Sequence, residues 1–269
     1  MILIIIIVLL LGLSLGSFAN CLIWRLYKQE RVLGRSYCPL CKKQIAWYDN
    51  IPLLSFIILG GRCRQCRKKI SWQYPLVEFA VATLFLVFWF KNLDYSYVSL
   101  TEISYYFENP RFWLSLIFDW LAVWVLTVVF VFDLRYYLVS TVFAFAATIV
   151  FLAINYSLGV SWYLPLITMA IGASFFGLQF LATRGRGIGE GDIWLGLMLG
   201  AMFVQVNLLI LAIFASYIIG TIIALGLLIA GKKAWSSKLP LGVFLALGGL
   251  FALIWGNKLL DAYWAWFQL

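Results

Sequence analysis

Asp133 and Asp192, two carboxylates in apolar surroundings, are the side chains best suited to chemistry in this chain. Asp133 closes one apolar stretch, and Asp192 ends the run Gly189-Glu190-Gly191-Asp192 that opens another. A carboxylate within a bilayer costs roughly +2.5 to +3.5 kcal/mol on insertion scales, so such a group marks a candidate functional site. If the two meet, they cannot both ionise cheaply and would share one proton near neutral pH. The ionised member can then take a proton from water while the other donates to a scissile carbonyl, hydrolysing an amide without a covalent intermediate. That is aspartyl protease chemistry. Gly189 and Gly191 are expected to support it by letting backbone approach a substrate strand. A phosphate-cradling glycine loop is not supported, because no strand precedes the motif. The plainer roles are an interfacial carboxylate paired with Arg135 for Asp133 and a helix N-terminal cap for Asp192. Asp119 lies about 20 Å from Asp133 at 1.5 Å per helical residue, near the opposite face, and Glu190 is expected in solvent.

Cys38-Pro39-Leu40-Cys41 and Cys63-Arg64-Gln65-Cys66 form a second constellation, with 21 residues between the pairs. Each pair offers two thiolates from one tight turn, and two such turns complete a tetrahedral all-thiolate site. Four protein ligands leave no open position, so a metal there would be structural. Zinc is the leading expectation; iron with the same ligation and redox-active cysteines are the alternatives. Cys21, alone in an apolar segment, reads as a packing residue.

The elements that must carry these residues are apolar. The chain is 64% hydrophobic and 12% charged, with a mean hydropathy of +0.98, which is multi-span membrane usage. The complete absence of histidine excludes Ser-His-Asp and Cys-His nucleophiles and any histidine-ligated metal. Apolar stretches at about 1–24, 77–93, 113–134, 137–157, 161–182, 191–205, 208–230 and 239–257 predict about eight transmembrane helices. The sixth is short and could be re-entrant. Met1 to Leu15 lacks a basic start and a small-residue cleavage site, so it reads as a retained first span. With the N-terminus outside, seventeen of the twenty basic residues fall on the cytoplasmic side, leaving Lys91, Arg111 and Lys258 outside. The net charge of +9 is thereby explained without nucleic acid. This topology puts the cysteine loop in a reducing compartment, which favours metal over disulfides, and sets Asp133 and Asp192 at one depth near the inner face.

The expected fold is therefore an all-α polytopic membrane protein with a small cytoplasmic zinc-binding loop subdomain. A first span covers 1–27 and the four-cysteine loop 28–76. A second span and external loop cover 77–112, a membrane domain carrying both aspartates covers 113–257, and a short external tail covers 258–269.

Several ordered segments resemble one family, the type IV prepilin peptidases, which are bifunctional GxGD leader peptidases and N-methyltransferases. Gly16-Ser17-Phe18-Ala19-Asn20 through Arg25 is similar to the family's N-terminal segment. Ser36 to Cys41, Asp49 to Ser55, Gly61 to Cys63 and Ile70 to Glu78 resemble its zinc loop and the run into its second span. Phe132-Asp133-Leu134-Arg135 and Gly189 to Asp192 look like its two catalytic signatures, and Leu239 to Ala246 resembles its closing motif. The chain departs from the usual pattern at Leu138-Val139-Ser140, Trp194, Leu241 and Val243. The resemblance implies a catalytic pair, Asp133 and Asp192, that removes the leader of prepilins or pseudopilins at the cytoplasmic face of a bacterial inner membrane. The substrate's apolar N-terminal helix would enter the bilayer. It also implies methyl transfer from S-adenosylmethionine to the new N-terminus, with Glu78 as the candidate cofactor-binding residue. Without that cofactor role, Glu78 would be a salt bridge to the basic loop. The competing functions are a GxGD protease with other substrates and a non-enzymatic scaffold or transporter with a zinc docking loop.

Overall fold

The computed structural model describes residues 2–93, 108–232 and 238–267, and these form two compact units, Met1–Thr101 and Glu102–Leu269. The external loop expected after the second span runs mostly through 94–107, and Lys233 falls in 233–237; both lie outside the described residues. All eight apolar stretches are helical. Six of these helices are long and apolar enough to cross a membrane, and the protein is a multi-pass, all-helical membrane protein. Among the described residues, extended pairing is limited to two isolated bridges, both in the cysteine loop.

The first unit holds α1 (Ile2–Lys28), a short 3-10 turn (Trp47–Asn50), α2 (Leu54–Ile58) and α3 (Gln73–Asn92). Helices α1 and α3 pack backbone to backbone. A Cβ on Gly12 would lie 2.6 Å from the Ala82 Cα, and one on Gly16 would lie 2.7 Å from the Glu78 Cα. Such small-residue seams replace the hydrophobic drive that lipid removes between spans. Asn20 fastens the polar end of the seam: its Nδ2 donates to the Tyr74 carbonyl at 3.1 Å, and its Oδ1 accepts from Gln73 Nε2 at 3.1 Å. Helix α3 begins at Gln73, ahead of the expected Val77, because Pro75 fits a first helical turn where no N–H is required.

The second unit holds α4 (Pro110–Tyr136), α5 (Thr141–Ser157), α6 (Tyr163–Thr183), α7 (Glu190–Met202), α8 (Val206–Ile229) and α9 (Leu241–Phe267). Two of these are short, α5 at 17 residues and α7 at 13. Helix α9 continues ten residues past the expected span end, since no proline or glycine after Gly256 stops it. Helix α7 lies at the centre, with Leu195, Met198 and Leu199 almost wholly buried against Leu126, Phe151 and Phe176. Glycines set how closely α6 and α7 approach. A Cβ on Gly196 would lie 2.5 Å from the Gly172 carbonyl oxygen, and one on Gly200 would lie 2.4 Å from that of Thr168. Thr168 Oγ1 also donates to the Gly200 carbonyl at 2.6 Å. The two helices are thus antiparallel in a fixed register. Gly200→Ala gains about 1 kcal/mol of helix propensity but forces backbone apart, and overpacking costs typically 1–3 kcal/mol or more. We expect a lower thermal unfolding midpoint in detergent; an unchanged or raised midpoint would contradict this register.

Candidate active site

Asp133 sits in the last turn of α4, which ends when Tyr137 turns left-handed (φ 55°) and returns its N–H to the Asp133 carbonyl at 2.8 Å. Ser140 then caps α5, accepting from Phe143 N, so the departure Leu138-Val139-Ser140 forms a tight helix-to-helix connection. The Asp133 side chain is only 5% exposed and faces the start of α9. Its Oδ2 accepts the Val243 N–H at 3.2 Å, and Gly242 donates a second backbone N–H. The first N–H groups of a helix have no internal partner and carry its positive dipole end, so they stabilise a carboxylate there. Gly242 is required at that contact, because a Cβ would lie 2.8 Å from Asp133 Oδ2.

Asp192 occupies the third position of α7 and is 9% exposed. Its Oδ2 accepts the Gly189 N–H at 3.0 Å, closing the helix start as the third-position acid of a capping box does. The capping role considered from sequence is therefore present, and it engages one of the two carboxylate oxygens. Gly191 abuts the connection after α4: a Cβ there would lie 2.7 Å from the Val139 Cβ. That close approach brings the start of α7 to the end of α4, and the two carboxylates lie within electrostatic reach of each other. Glu190, by contrast, is exposed, and Asp119 is buried farther up α4.

The first unit carries the other two predicted sites. The four sulfurs of Cys38, Cys41, Cys63 and Cys66 all lie within 4.8 Å of one another, with Cys38 and Cys66 at 4.0 Å. Ligands about 2.3 Å from a tetrahedral zinc would be roughly 3.8 Å apart, so the cluster fits a metal ion. The two turns repeat one geometry. Cys38 N bonds Lys43 O at 2.9 Å and Lys42 N bonds Cys38 O at 2.8 Å; Cys63 N bonds Lys68 O and Arg67 N bonds Cys63 O, each at 2.9 Å. Lys42 and Arg67, at equivalent positions, both take a positive φ near 60°. The Cys66 backbone N–H helps hold the Cys63 thiol down to about 7. Cys66 is pulled down by the Lys68 N–H, yet burial and its bonds to the other three sulfurs push it up to about 11. Four crowded thiols cannot all ionise without a cation between them. Cys21 stands outside the cluster. Arg64 grips Asp49 through Nε and Nη2, at 2.6–3.1 Å, and so ties the second turn to the 3-10 turn. The guanidinium holds the Asp49 carboxyl below the usual carboxylate range.

Glu78 is 6% exposed, and it meets a backbone N–H instead of the basic side chain expected of a salt bridge. Its Oε2 accepts the Leu53 N–H at 2.8 Å, with a further bond to the Ser17 side chain. Leu53 adopts φ 58°, ψ −51°, and Leu54 N returns to the Pro52 carbonyl at 2.6 Å. That is a γ-turn of the rare, strained hand, a conformation costing of order 1–3 kcal/mol that persists only where surroundings enforce it.

Sequence reasoning missed three features of this geometry: the Gly242 and Val243 amides on Asp133, the Gly191 contact with Val139, and the γ-turn under Glu78. The first had a signal, since Leu239 to Ala246 stood out as a motif without a role. Together, an all-helical multi-pass bundle with two buried carboxylates near each other and a four-thiol loop define a membrane protein of the aspartyl peptidase type. The comparisons agree. The model for the bacterial peptidase A24 N-terminal domain matches residues 10–92, and that for the type IV leader peptidase family matches residues 120–225. A prepilin leader peptidase/N-methyltransferase of Legionella pneumophila is 30% identical, covering 94% of this chain and 92% of its own. Proteins of the same name from Bacillus subtilis and Pseudomonas aeruginosa are 28% and 29% identical, over 94% of this chain and 94% and 91% of theirs. No solved structure matches. The chain belongs to the type IV leader peptidase family.

Proposed function

We propose that this enzyme removes the leader peptide of prepilins or pseudopilins by aspartyl chemistry at Asp133 and Asp192, then methylates the new N-terminus. The observation that carries the reading is the convergence of two buried carboxylates from helices far apart in sequence, each held by backbone N–H groups at a helix start. One carboxylate takes a proton from water as the water oxygen attacks the scissile carbonyl, and the other gives its proton to the carbonyl oxygen. As the tetrahedral intermediate collapses, the carboxyl group that took the proton from water passes it to the departing nitrogen and the other carboxylate regains a proton from the intermediate's hydroxyl, so the C–N bond breaks to leave a carboxyl group on the leader and an amine on the mature chain. No covalent enzyme intermediate forms.

The basic loops favour a cytoplasmic placement of the cysteine loop and of both aspartates in a bacterial inner membrane. From there the substrate's apolar helix can remain in the bilayer while its leader stays in water. Zinc is the proposed occupant of the cysteine cluster, with a structural role because all four positions are taken by protein. S-adenosylmethionine, when bound, supplies the methyl group to the new amine. Glu78 and the Gly16 to Arg25 segment are the proposed methyl-transfer region. Leader cleavage and methyl incorporation are read together from the mass of the mature N-terminus after incubation in lipid vesicles. An unshortened prepilin would refute the peptidase reading.

Glu78→Ala removes the acceptor for the Leu53 N–H, and stranding a buried donor costs about 1–3 kcal/mol. We expect methyl incorporation to fall by roughly tenfold or more at unchanged cleavage, with Glu78→Gln recovering most of it because an acceptor oxygen remains. Undiminished transfer by Glu78→Ala would remove Glu78 from this activity.

A further inference from the structure

A substrate cut near the bilayer faces a backbone problem. Its helix must open at the scissile bond before water and two carboxylates can reach a carbonyl. Each opened peptide group loses its helical partner where lipid offers none, at a cost of several kcal/mol. The enzyme must therefore present polar groups beside the aspartates.

Two side chains stand where such groups are needed. The glycine contacts fix the antiparallel register of α6 on α7, with Gly200 opposite Thr168 and Gly196 opposite Gly172. One more turn sets Asp192 level with Phe176, and Gly189 level with Gln179. Gln179 accepts the Tyr217 hydroxyl of α8 through Oε1 at 2.8 Å, and the Tyr217 ring meets Phe175 edge-on at 6.0 Å. Tyr217 is also within electrostatic reach of Asp192. The surrounding surface is apolar and exposed: Leu178, Leu181, Phe214 and Ile218 are 44–70% open. A polar pair on such a face is costly to keep, and intramembrane polar groups mark functional pathways.

The pair retains hydrogen-bonding capacity of both signs. Gln179 Nε2 spends one N–H on the Phe175 carbonyl at 3.2 Å and keeps the other, while the Tyr217 oxygen donates its proton and keeps its lone pairs. A free donor beside a free acceptor is the complement of one peptide unit. We propose that Gln179 and Tyr217 form a main-chain clamp for the opened stretch of substrate next to the scissile bond. They are positioning residues for the substrate, not members of the catalytic pair. The inference rests on the peptidase reading above.

The test uses the full chain in lipid vesicles and synthetic substrates in which one backbone amide near the cut is replaced by an ester, which deletes a single N–H. Tyr217→Phe should keep the thermal midpoint of the wild type and lower kcat/KM roughly 3- to 10-fold, the range a single neutral hydrogen bond spans. That penalty should vanish for one ester position, where the N–H it serves is already gone. Gln179→Leu should lower kcat/KM by a similar factor. If Tyr217→Phe is as fast as the wild type, or is equally impaired on every ester substrate, the clamp is wrong. A lower midpoint with unchanged kinetics would likewise make the pair mere glue between α6 and α8. Failure of the peptidase reading looks different: Asp133→Asn would then cleave normally.

Discussion

Asp133→Asn and Asp192→Asn should each reduce leader cleavage by at least the 10²- to 10⁴-fold that a positioned acid or base contributes. Both substitutions preserve shape. An asparagine at 133 still offers a carbonyl oxygen to the Val243 and Gly242 N–H groups, and one at 192 still accepts from Gly189. The helix starts therefore stay capped, and the variants should accumulate at wild-type levels with wild-type unfolding midpoints. What an amide cannot do is hold or pass the shared proton. The proposed methyl-transfer region around Glu78 lies in the other compact unit, so methylation of a pilin supplied already cleaved should persist in both variants. Gel mobility of the prepilin measures the first effect and mass of the mature N-terminus the second. Wild-type cleavage by either variant would remove that aspartate from the mechanism.

Removing the proposed metal from the cysteine cluster should have the second largest effect. Apparent binding energies for structural zinc run to about 10–16 kcal/mol in small domains, where binding and folding are one event. The loop between α1 and α3 has only a small apolar core. It is held by short-range backbone bonds, the Arg64 to Asp49 pair, Ser55, Glu78 and the Arg25 guanidinium on the Val32, Gly34 and Arg35 carbonyls, while many of its apolar side chains, such as Trp47, Ile57 and Ile58, are exposed. Cys38→Ser with Cys66→Ser, or a strong chelator, should release one bound ion per chain and open residues 30–70 to protease. Methyl incorporation should be lost with them, while the helices of 110–267 stay protected. A loop equally resistant with and without metal would mean that the cysteines are not its structural centre.

The spans were readable because lipid imposes a one-dimensional rule, and a run of apolar residues must be helical to satisfy its own backbone. Their ends were less so. Hydropathy put the last span's end at 257, whereas α9 runs to Phe267, because a helix stops at a breaker and not where polarity begins. The four cysteines were readable because metal ligation needs both type and spacing, and the repeated turn geometry follows from that spacing. What spacing could not reveal is contact across the chain. The donors to Asp133, Gly242 and Val243, come from 109 and 110 positions away, and Gly191 packs against Val139, a contact that the sequence reading did not include. Glu78 stood out in the sequence with a salt bridge as its plainer role, but its partner is a main-chain N–H, and a main chain has no residue type to read. Gln179 and Tyr217 went unnoticed for a similar reason, since either alone is an ordinary polar residue in a span.

The account depends on Asp133 and Asp192 acting as one unit upon one water. Single-turnover cleavage of a prepilin in lipid vesicles, compared across the wild type, Asp133→Asn, Asp192→Asn and the double variant, tests this directly. Groups that act together are strongly non-additive, so the double variant should cleave no more slowly than either single one. Losses that multiply would mean two independent roles, and the shared-proton mechanism would fall.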